Sequence, residues 1–485
     1  MGFAARSALL FAVAMATLGA NPTGNDVVRL LERMRNAAGP VWQANVVSVA
    51  RLQFNGAPSV VSTESQGLRV MVRHCIGEIC DGTYFDGERL FSVNMNGTTV
   101  EQSPQPEAYL RSLRLIGSLD FLSPSFFARG GSIGGAGTAA IGGKSYRTFV
   151  IGDANAVPVR LYVDLQSNLI RFARAIGDRD MLEYRNFRRV GTLTLPFEVL
   201  HDGRVFERYD DRAVVSSAFQ PPHGLAPSFS GAPAAIPTDP KAVTPIVDCS
   251  LGGVALRCLI DSGNSGLSMS SELASRLGAP VVGTYRVLGL GGYSTQVVRA
   301  GPLRVGNATY PGAYYVVLND LRRYGYDVVL GADIIGPSGI LIDGAAHIVR
   351  LGISLAHGEV TVPLSFQNFV PVISVGLGPI ETQLAVDTGD ESNINLSYDF
   401  YAKHPGLFNI TQRRSVAGIG GSSVEMIGEI PQVRIGDYRS GPQRIGTTQL
   451  LQGTAFGHVG AAFLDQFVVQ LDYAGAALHL IPRRG

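Results

Sequence analysis

The chain has 485 residues, too many for one ordinary hydrophobic core, so two or three domains are expected. Its 40 basic and 39 acidic side chains nearly cancel, and the Lys and Arg residues are scattered, which excludes the basic footprint of a nucleic-acid binder. An apolar fraction of 46% with 59 glycines, arranged as short Val/Ile/Leu/Tyr runs between glycine turns, excludes overall disorder and points to a β-rich globular protein.

In chain order, residues 1–20 carry one basic residue, Arg6, then an apolar run from Ala8 to Leu18 and small residues ending at Ala20. This is the pattern of a secretory signal peptide, and the run is too short to span a bilayer comfortably. The expectation is therefore export, to the periplasm or as a secreted protein, with no transmembrane segment.

From Asn25 to Arg35, "NDVVRLLERMR" places Val27, Leu30, Leu31 and Met34 on one helical face. The pattern then changes. Segments such as "GLRVMVRH", "YFDGERLFSV" and "RVGTLTLPFEVLHDG" alternate apolar and polar positions, with Gly, Asp or Asn at their turns, as in an antiparallel sheet with one buried face. A second helix is expected near Pro106 to Ile116. Together these make residues 21–213 an N-terminal β domain.

The four cysteines form two local pairs, Cys75 with Cys80 in "HCIGEIC" and Cys249 with Cys258 in "DCSLGGVALRC". Each pair flanks a Gly-containing turn and could close a hairpin as a disulfide in an oxidising compartment. Metal binding is the rival reading. Neither pair has Cys-x-x-Cys spacing, and only His74 is adjacent. Residues 214–243 are rich in Pro, Ala, Ser and Gly without period and read as a linker.

Beyond the linker lies an internal repeat. The first copy runs "VDCSLGGVALRCLIDSG" to Asp261-Ser262-Gly263, then "GLGGYS" at Gly289 to Ser294, then "DVVLGADII" at Asp327 to Ile335. The second runs "PVISVGLGPIETQLAVDTG" to Asp387-Thr388-Gly389, then "GIGGSS" at Gly418 to Ser423, then "HVGAAFLDQF" from His458. Asp261 to Gly292 spans 31 residues and Asp387 to Gly421 spans 34; from each Asp to the glycine of the third block, Gly331 or Gly460, the spans are 70 and 73. One Asp-[Ser/Thr]-Gly arises by chance at about a few tenths of a match in a chain this long. An ordered duplication with matched spacings does not.

This duplication resembles the retropepsin-like aspartic proteases, with two halves in one chain, over about Thr244 to Pro482. The resemblance implies a mainly β fold in which tandem β-barrel halves, 244–357 and 358–485, form a bilobal acid-protease unit. It implies Asp261 and Asp387 as the catalytic pair, with Ser262, Gly263, Thr388 and Gly389 shaping their loops. It also implies hairpin flaps that bind a peptide or protein substrate through Gly289, Gly291, Gly292 and Tyr293 in one half and Gly418, Gly420 and Gly421 in the other. The chemistry agrees: two carboxyl groups a few Å apart cannot both ionise, share one proton, and can act as base and acid on a water. No cofactor or metal is implied, and one chain suffices as a monomer.

Two positions depart from the family pattern. Asn264 and Asp390 stand where Ala or Ser is usual, and Asp390 either tunes the pair or bonds only to its own turn. His458 reads as structural. Residues 21–213 resemble, more loosely, periplasmic lipoprotein-carrier-like domains, half-barrel sheets around a helix, which implies lipid or lipoprotein contact. The alternative function is a non-catalytic peptide- or lipid-binding envelope protein with a retained protease fold.

Overall fold

The computed structural model describes residues 25–54, 57–102, 107–319, 321–353, 358–449 and 456–483. The expected signal peptide lies outside them. The chain divides into two compact units: the first holds residues up to Cys75, Thr83–Leu90 and Gln105–Pro221, and the second holds Ile76–Gly82, Phe91–Pro104 and Pro222–Gly485. Among the described residues, no helix is long and apolar enough to cross a membrane.

In the first unit, helix Asn25–Ala38 buries Val27, Leu30, Leu31, Met34 and Ala38, the side chains that its 3.6-residue period puts on one face. Helix Glu107–Gly117 adds Leu115 and Ile116 to the same core. Both meet a seven-stranded antiparallel meander that runs in sequence order from Ser132–Ile141 to Arg204–Arg208. The period of two decides which side chains face the helices: Leu193, Leu195, Phe197 and Val199 alternate inward along Leu193–His201. Each fully buried aliphatic side chain contributes about 1.5–3 kcal/mol, so the helix face and the sheet face hold each other in place.

The second unit is built around two large sheets with the same central order. In one, Val254–Ile260 runs parallel to Val328–Leu330, which is antiparallel to Leu267–Ser270, which is parallel to Ala313–Leu318. In the other, Ile380–Asp387 runs parallel to Gly457–Gly460, which is antiparallel to Ile394–Ser397, which is parallel to Gln443–Thr448. The central strand Val328–Leu330 is buried at every position, and its unbroken Val-Val-Leu follows from burial on both faces. A third sheet pairs Ile340–Asp343 antiparallel with Phe467–Asp472. Among the described residues all the sheets run as open strand paths, so the halves are not the closed barrels expected, while the mainly β architecture is as expected.

Of the Pro-rich segment 214–243, the part that belongs to this unit is laid along its framework. From Pro222 onward, Ser228–Phe229 pairs with Ala308–Tyr310 and Ile236–Pro237 with Ile348–Leu351, while Leu225 and Ile236 are buried. Two-residue bridges suit such a sequence, because proline lacks the N–H that a longer ladder needs.

A turn from the N-terminal half of the sequence also belongs to the second unit. The hairpin Phe91–Glu101 carries "NMNGT", and its side chains converge on Asp333, which is fully buried just after Gly331. Asn94 Nδ2 and Thr98 Oγ1 each donate to Asp333 Oδ1 at 2.6 Å, and Asn96 Nδ2 donates to Oδ2 at 2.6 Å. Burial raises the carboxyl pKa and these three donors oppose it. Asp333→Ala strands all three donors, so the second unit should lose about 3 kcal/mol or more, read as a lower urea midpoint at unchanged slope.

Candidate active site

Each Asp-[Ser/Thr]-Gly loop is held at the end of a buried strand. Leu259 and Ile260 precede Asp261, and Ala385 and Val386 precede Asp387, all at most 1% exposed, so neither loop can move without opening the core. The third motif of each copy braces its loop from the side. Asp261 N–H donates to Leu330 O at 2.9 Å and Ala332 N–H to Asn264 O at 3.0 Å; in the second copy Ala461 N–H donates to Asp390 O at 2.7 Å.

The two loops are then tied to each other reciprocally. Ser262 N–H donates to Thr388 Oγ1 at 3.0 Å, and Thr388 N–H donates to Ser262 Oγ at 3.1 Å. Each hydroxyl donates onward across the pair, Ser262 Oγ to Val386 O at 2.6 Å and Thr388 Oγ1 to Ile260 O at 2.9 Å. Every donor is satisfied in a buried site, which makes the pairing rigid.

That network aims the carboxyl groups at one another. Gly263 N–H donates to Asp261 Oδ1 at 2.7 Å and Gly389 N–H to Asp387 Oδ1 at 3.0 Å. Each glycine lies against the opposite carboxyl: a Cβ on Gly263 would sit 2.5–2.6 Å from the Asp387 carboxyl atoms, and one on Gly389 2.5–2.7 Å from those of Asp261. Burial, then the Asp387 charge, pushes the Asp261 carboxyl well above the usual range; Asp387 is raised as well, mainly by burial. Two carboxyl groups this close disfavour simultaneous ionisation and titrate as a pair.

Residues 247–334 match the family model described as aspartyl protease. The chain carries an aspartyl-protease-like domain. The match includes Asp261, the first glycine hairpin and its bracing segment. No curated protein matches the chain. Among solved structures, basic 7S globulin from soybean aligns at 12% identity with a TM-score of 0.32, over 53% of this chain and 95% of that one.

Two glycine hairpins of the second unit meet at their tips, the first inside the matched residues and the second beyond them. They are Val281–Leu288 with Gly292–Ala300, and Gln412–Gly418 with Gly421–Ile430. Leu290 N–H donates to Ile419 O at 2.9 Å, and a Cβ on Gly291 would lie 2.0 Å from Gly420 O. Gly289, Gly291, Gly292, Gly418, Gly420 and Gly421 are thus at or beside this crossing, and Tyr293 and Ile419 both pack against one buried cluster. Within the first hairpin, burial raises the Tyr285 hydroxyl pKa, and Ser265 of the Asp261 loop opposes the shift.

The cysteines staple the strand pair that leads into this site. Cys249 and Cys258 are bonded across the hairpin Ile246–Leu251/Val254–Ile260 at a Cα separation of 6.0 Å; Cys75 and Cys80 are also disulfide-bonded.

One site residue escaped the sequence reading. His458 Nδ1 lies 3.6 Å from Asp387 Oδ2 and 3.5 Å from Asp390 Oδ2. Burial lowers its pKa, but the Asp390 and Asp387 carboxylates more than reverse this and bring it to about 9. The signal was present in the repeat: two residues before the bracing glycine, the first copy has Val329 and the second has His458. Asp390 bonds within its turn but not only there. Its Oδ1 accepts the Ser392 N–H at 2.9 Å and its Oδ2 the Ser392 hydroxyl at 2.8 Å, as in an ordinary Asp turn, while Oδ2 also faces His458. Burial would raise its pKa, yet His458 and these donors hold it below the usual value. The Asn264 side chain faces no charged partner of this kind; its Nδ2 donates to Gly266 O at 3.2 Å and Ser268 Oγ at 3.4 Å.

These shifts fix a sign for stability against pH. His458 has its folded pKa raised, so its contribution is complete below about 6.5 and is lost as pH rises through about 9. The urea midpoint of the second unit should therefore fall over that interval, and His458→Gln should flatten the fall.

Proposed function

We propose that the protein is an exported aspartic-type endopeptidase, hydrolysing peptide bonds with a water activated between Asp261 and Asp387. The observation that carries this reading is the reciprocal Ser262–Thr388 bonding with each glycine against the opposite carboxyl, which sets two acids face to face where they can share one proton. The ionised member takes a proton from the water as its oxygen bonds the carbonyl carbon, and the protonated member donates to the carbonyl oxygen. Collapse of the tetrahedral species then delivers a proton to the leaving nitrogen. A peptide would lie extended between the dyad and the glycine hairpins, whose lack of side chains admits its backbone.

Both Asp loops come from one chain, so a monomer suffices for this mechanism. Export accords with the leader-like residues 1–20 and with cysteines that are all in disulfides among the described residues. On this reading the N-terminal unit serves contact with lipid or lipoprotein, in keeping with its sheet-and-helix construction.

The test is incubation of the full chain with a peptide library from acidic to neutral pH, with and without a statine-type inhibitor whose hydroxyl mimics the attacked carbonyl. Cleavage that the inhibitor blocks is expected. Absence of cleavage at every pH, or cleavage indifferent to the inhibitor, contradicts the proposal.

A further inference from the structure

The two Asp loops are alike in their backbone and unlike in their surroundings. Asp261 Oδ1 accepts one backbone N–H, from Gly263. Asp387 Oδ1 accepts two, from Gly389 at 3.0 Å and Asp390 at 3.1 Å, and its Oδ2 faces His458. Donors and a cation directed at a carboxyl favour its ionised form. Their unequal supply therefore breaks the near-symmetry of the pair.

The asymmetry traces to two residues. His458 stands on strand Gly457–Gly460, paired with Ala385 and Asn395; at the same place in the first sheet, Val329 pairs with Leu259 and Ser268. Asp390 follows Asp-Thr-Gly where Asn264 follows Asp-Ser-Gly, and where Asn264 has an apolar neighbour strand, Asp390 has the imidazole. Both side chains are 22% exposed, and in this part-buried position a lone imidazolium or a lone Asp390 carboxylate would be costly; each is the other's counter-ion. The pair is tethered on its far side by the Ser392 N–H and hydroxyl.

We propose that His458, held by Asp390, is a positioning residue that keeps Asp387 ionised and leaves the shared proton on Asp261. Resting on the peptidase reading, this assigns the roles: Asp387 is the base that takes the proton from water, and Asp261 is the acid that protonates the carbonyl oxygen. As the C–N bond breaks, Asp387 passes its new proton to the nitrogen and the hydroxyl returns the other to Asp261, restoring the starting state. The charged groups that act on His458 are Asp387, Asp390 and Asp261. Tyr326 and Tyr473, which sense the dyad's charge, have their hydroxyl pKa values raised by burial first and by that charge second, so they stay neutral.

The geometry makes the two single substitutions act in opposite directions. His458→Gln removes the cation and leaves Asp390 beside Asp387, so ionisation of Asp387 becomes harder and the acid limb of the kcat/KM profile moves up, by about one to three pH units. Asp390→Asn removes the anion and leaves the imidazolium, so the acid limb moves down. The double variant falls between them. Circular dichroism confirms that each variant is folded. A residue that merely packs would change kcat without opposed shifts. Limbs that move together, or not at all, overturn the proposal. A second readout needs no turnover: in a ¹⁵N NMR titration, His458 of the unaltered protein should remain protonated to about pH 9 and should titrate lower in Asp390→Asn and in Asp387→Asn. Titration at an ordinary value in the unaltered protein overturns the proposal. If no peptide is cleaved at any pH, the peptidase reading fails while the titration still decides whether His458 holds Asp387 ionised.

Discussion

Asp261→Asn and Asp387→Asn should each reduce peptide hydrolysis by about 10³-fold or more without unfolding the chain. Each substitution replaces a titrating group with a neutral amide of the same shape, and the amide oxygen can still accept the Gly263 or Gly389 N–H. The Ser262–Thr388 ties use no dyad atom, so the two loops stay face to face. What disappears is the shared proton. With one carboxyl left, either the base or the acid is missing from each turnover. Stability should move the other way. A buried carboxyl whose folded pKa is raised contributes fully below its unfolded pKa of about 3.9, and that contribution is lost as pH rises through the folded value. At neutral pH the unaltered dyad is therefore a destabilised site, and Asp261→Asn should raise the melting temperature there. Activity assays and melts on the same preparations check both signs. Retained activity, or loss of activity through unfolding, would contradict the account.

Gly263→Ala and Gly389→Ala should be nearly as damaging, for a steric reason. A methyl at either position would overlap the opposite carboxyl, at 2.5–2.7 Å where real contacts begin beyond 3 Å. The neighbour cannot yield cheaply, because it is the partner acid on a loop fixed by buried strands. The carboxyl groups are pushed apart, which should lower kcat by about 10²-fold, with about 1–3 kcal/mol of destabilisation from overpacking. Gly406→Ala is the control: nothing lies within 4 Å of its added methyl and its backbone needs no left-handed conformation, so activity and stability should stay as they are. Kinetics and urea midpoints for the three variants separate crowding at the dyad from a general cost of losing glycine.

The duplicated motifs were legible because repetition is a signal a single sequence can carry. Two Asp-[Ser/Thr]-Gly tripeptides with matched spans to glycine hairpins and bracing strands require matched surroundings, and the central strand orders of the two sheets are identical. The helices were legible from periodicity. The apolar face expected over Asn25–Arg35 lies on helix Asn25–Ala38, and the expected Pro106–Ile116 lies close to Glu107–Gly117. What escaped depends on partners distant in sequence. "NMNGT" looks like any hairpin turn, yet Asn94 bonds to Asp333, 239 residues away, and no local pattern encodes that distance. Residues 222–243 lack period because their strands are only two residues long. His458 was hidden for a related reason: on an apolar strand one histidine reads as packing, and only its register beside Asp387 gives it a charged partner.

Calorimetric titration of the full chain with a statine-type inhibitor tests the central claim most directly. One site formed in cis by Asp261 and Asp387 predicts one inhibitor bound per chain, at a stoichiometry unchanged by dilution, with binding lost in Asp261→Asn and in Asp387→Asn alike. One inhibitor per two chains, or tight binding that survives either substitution, would contradict it.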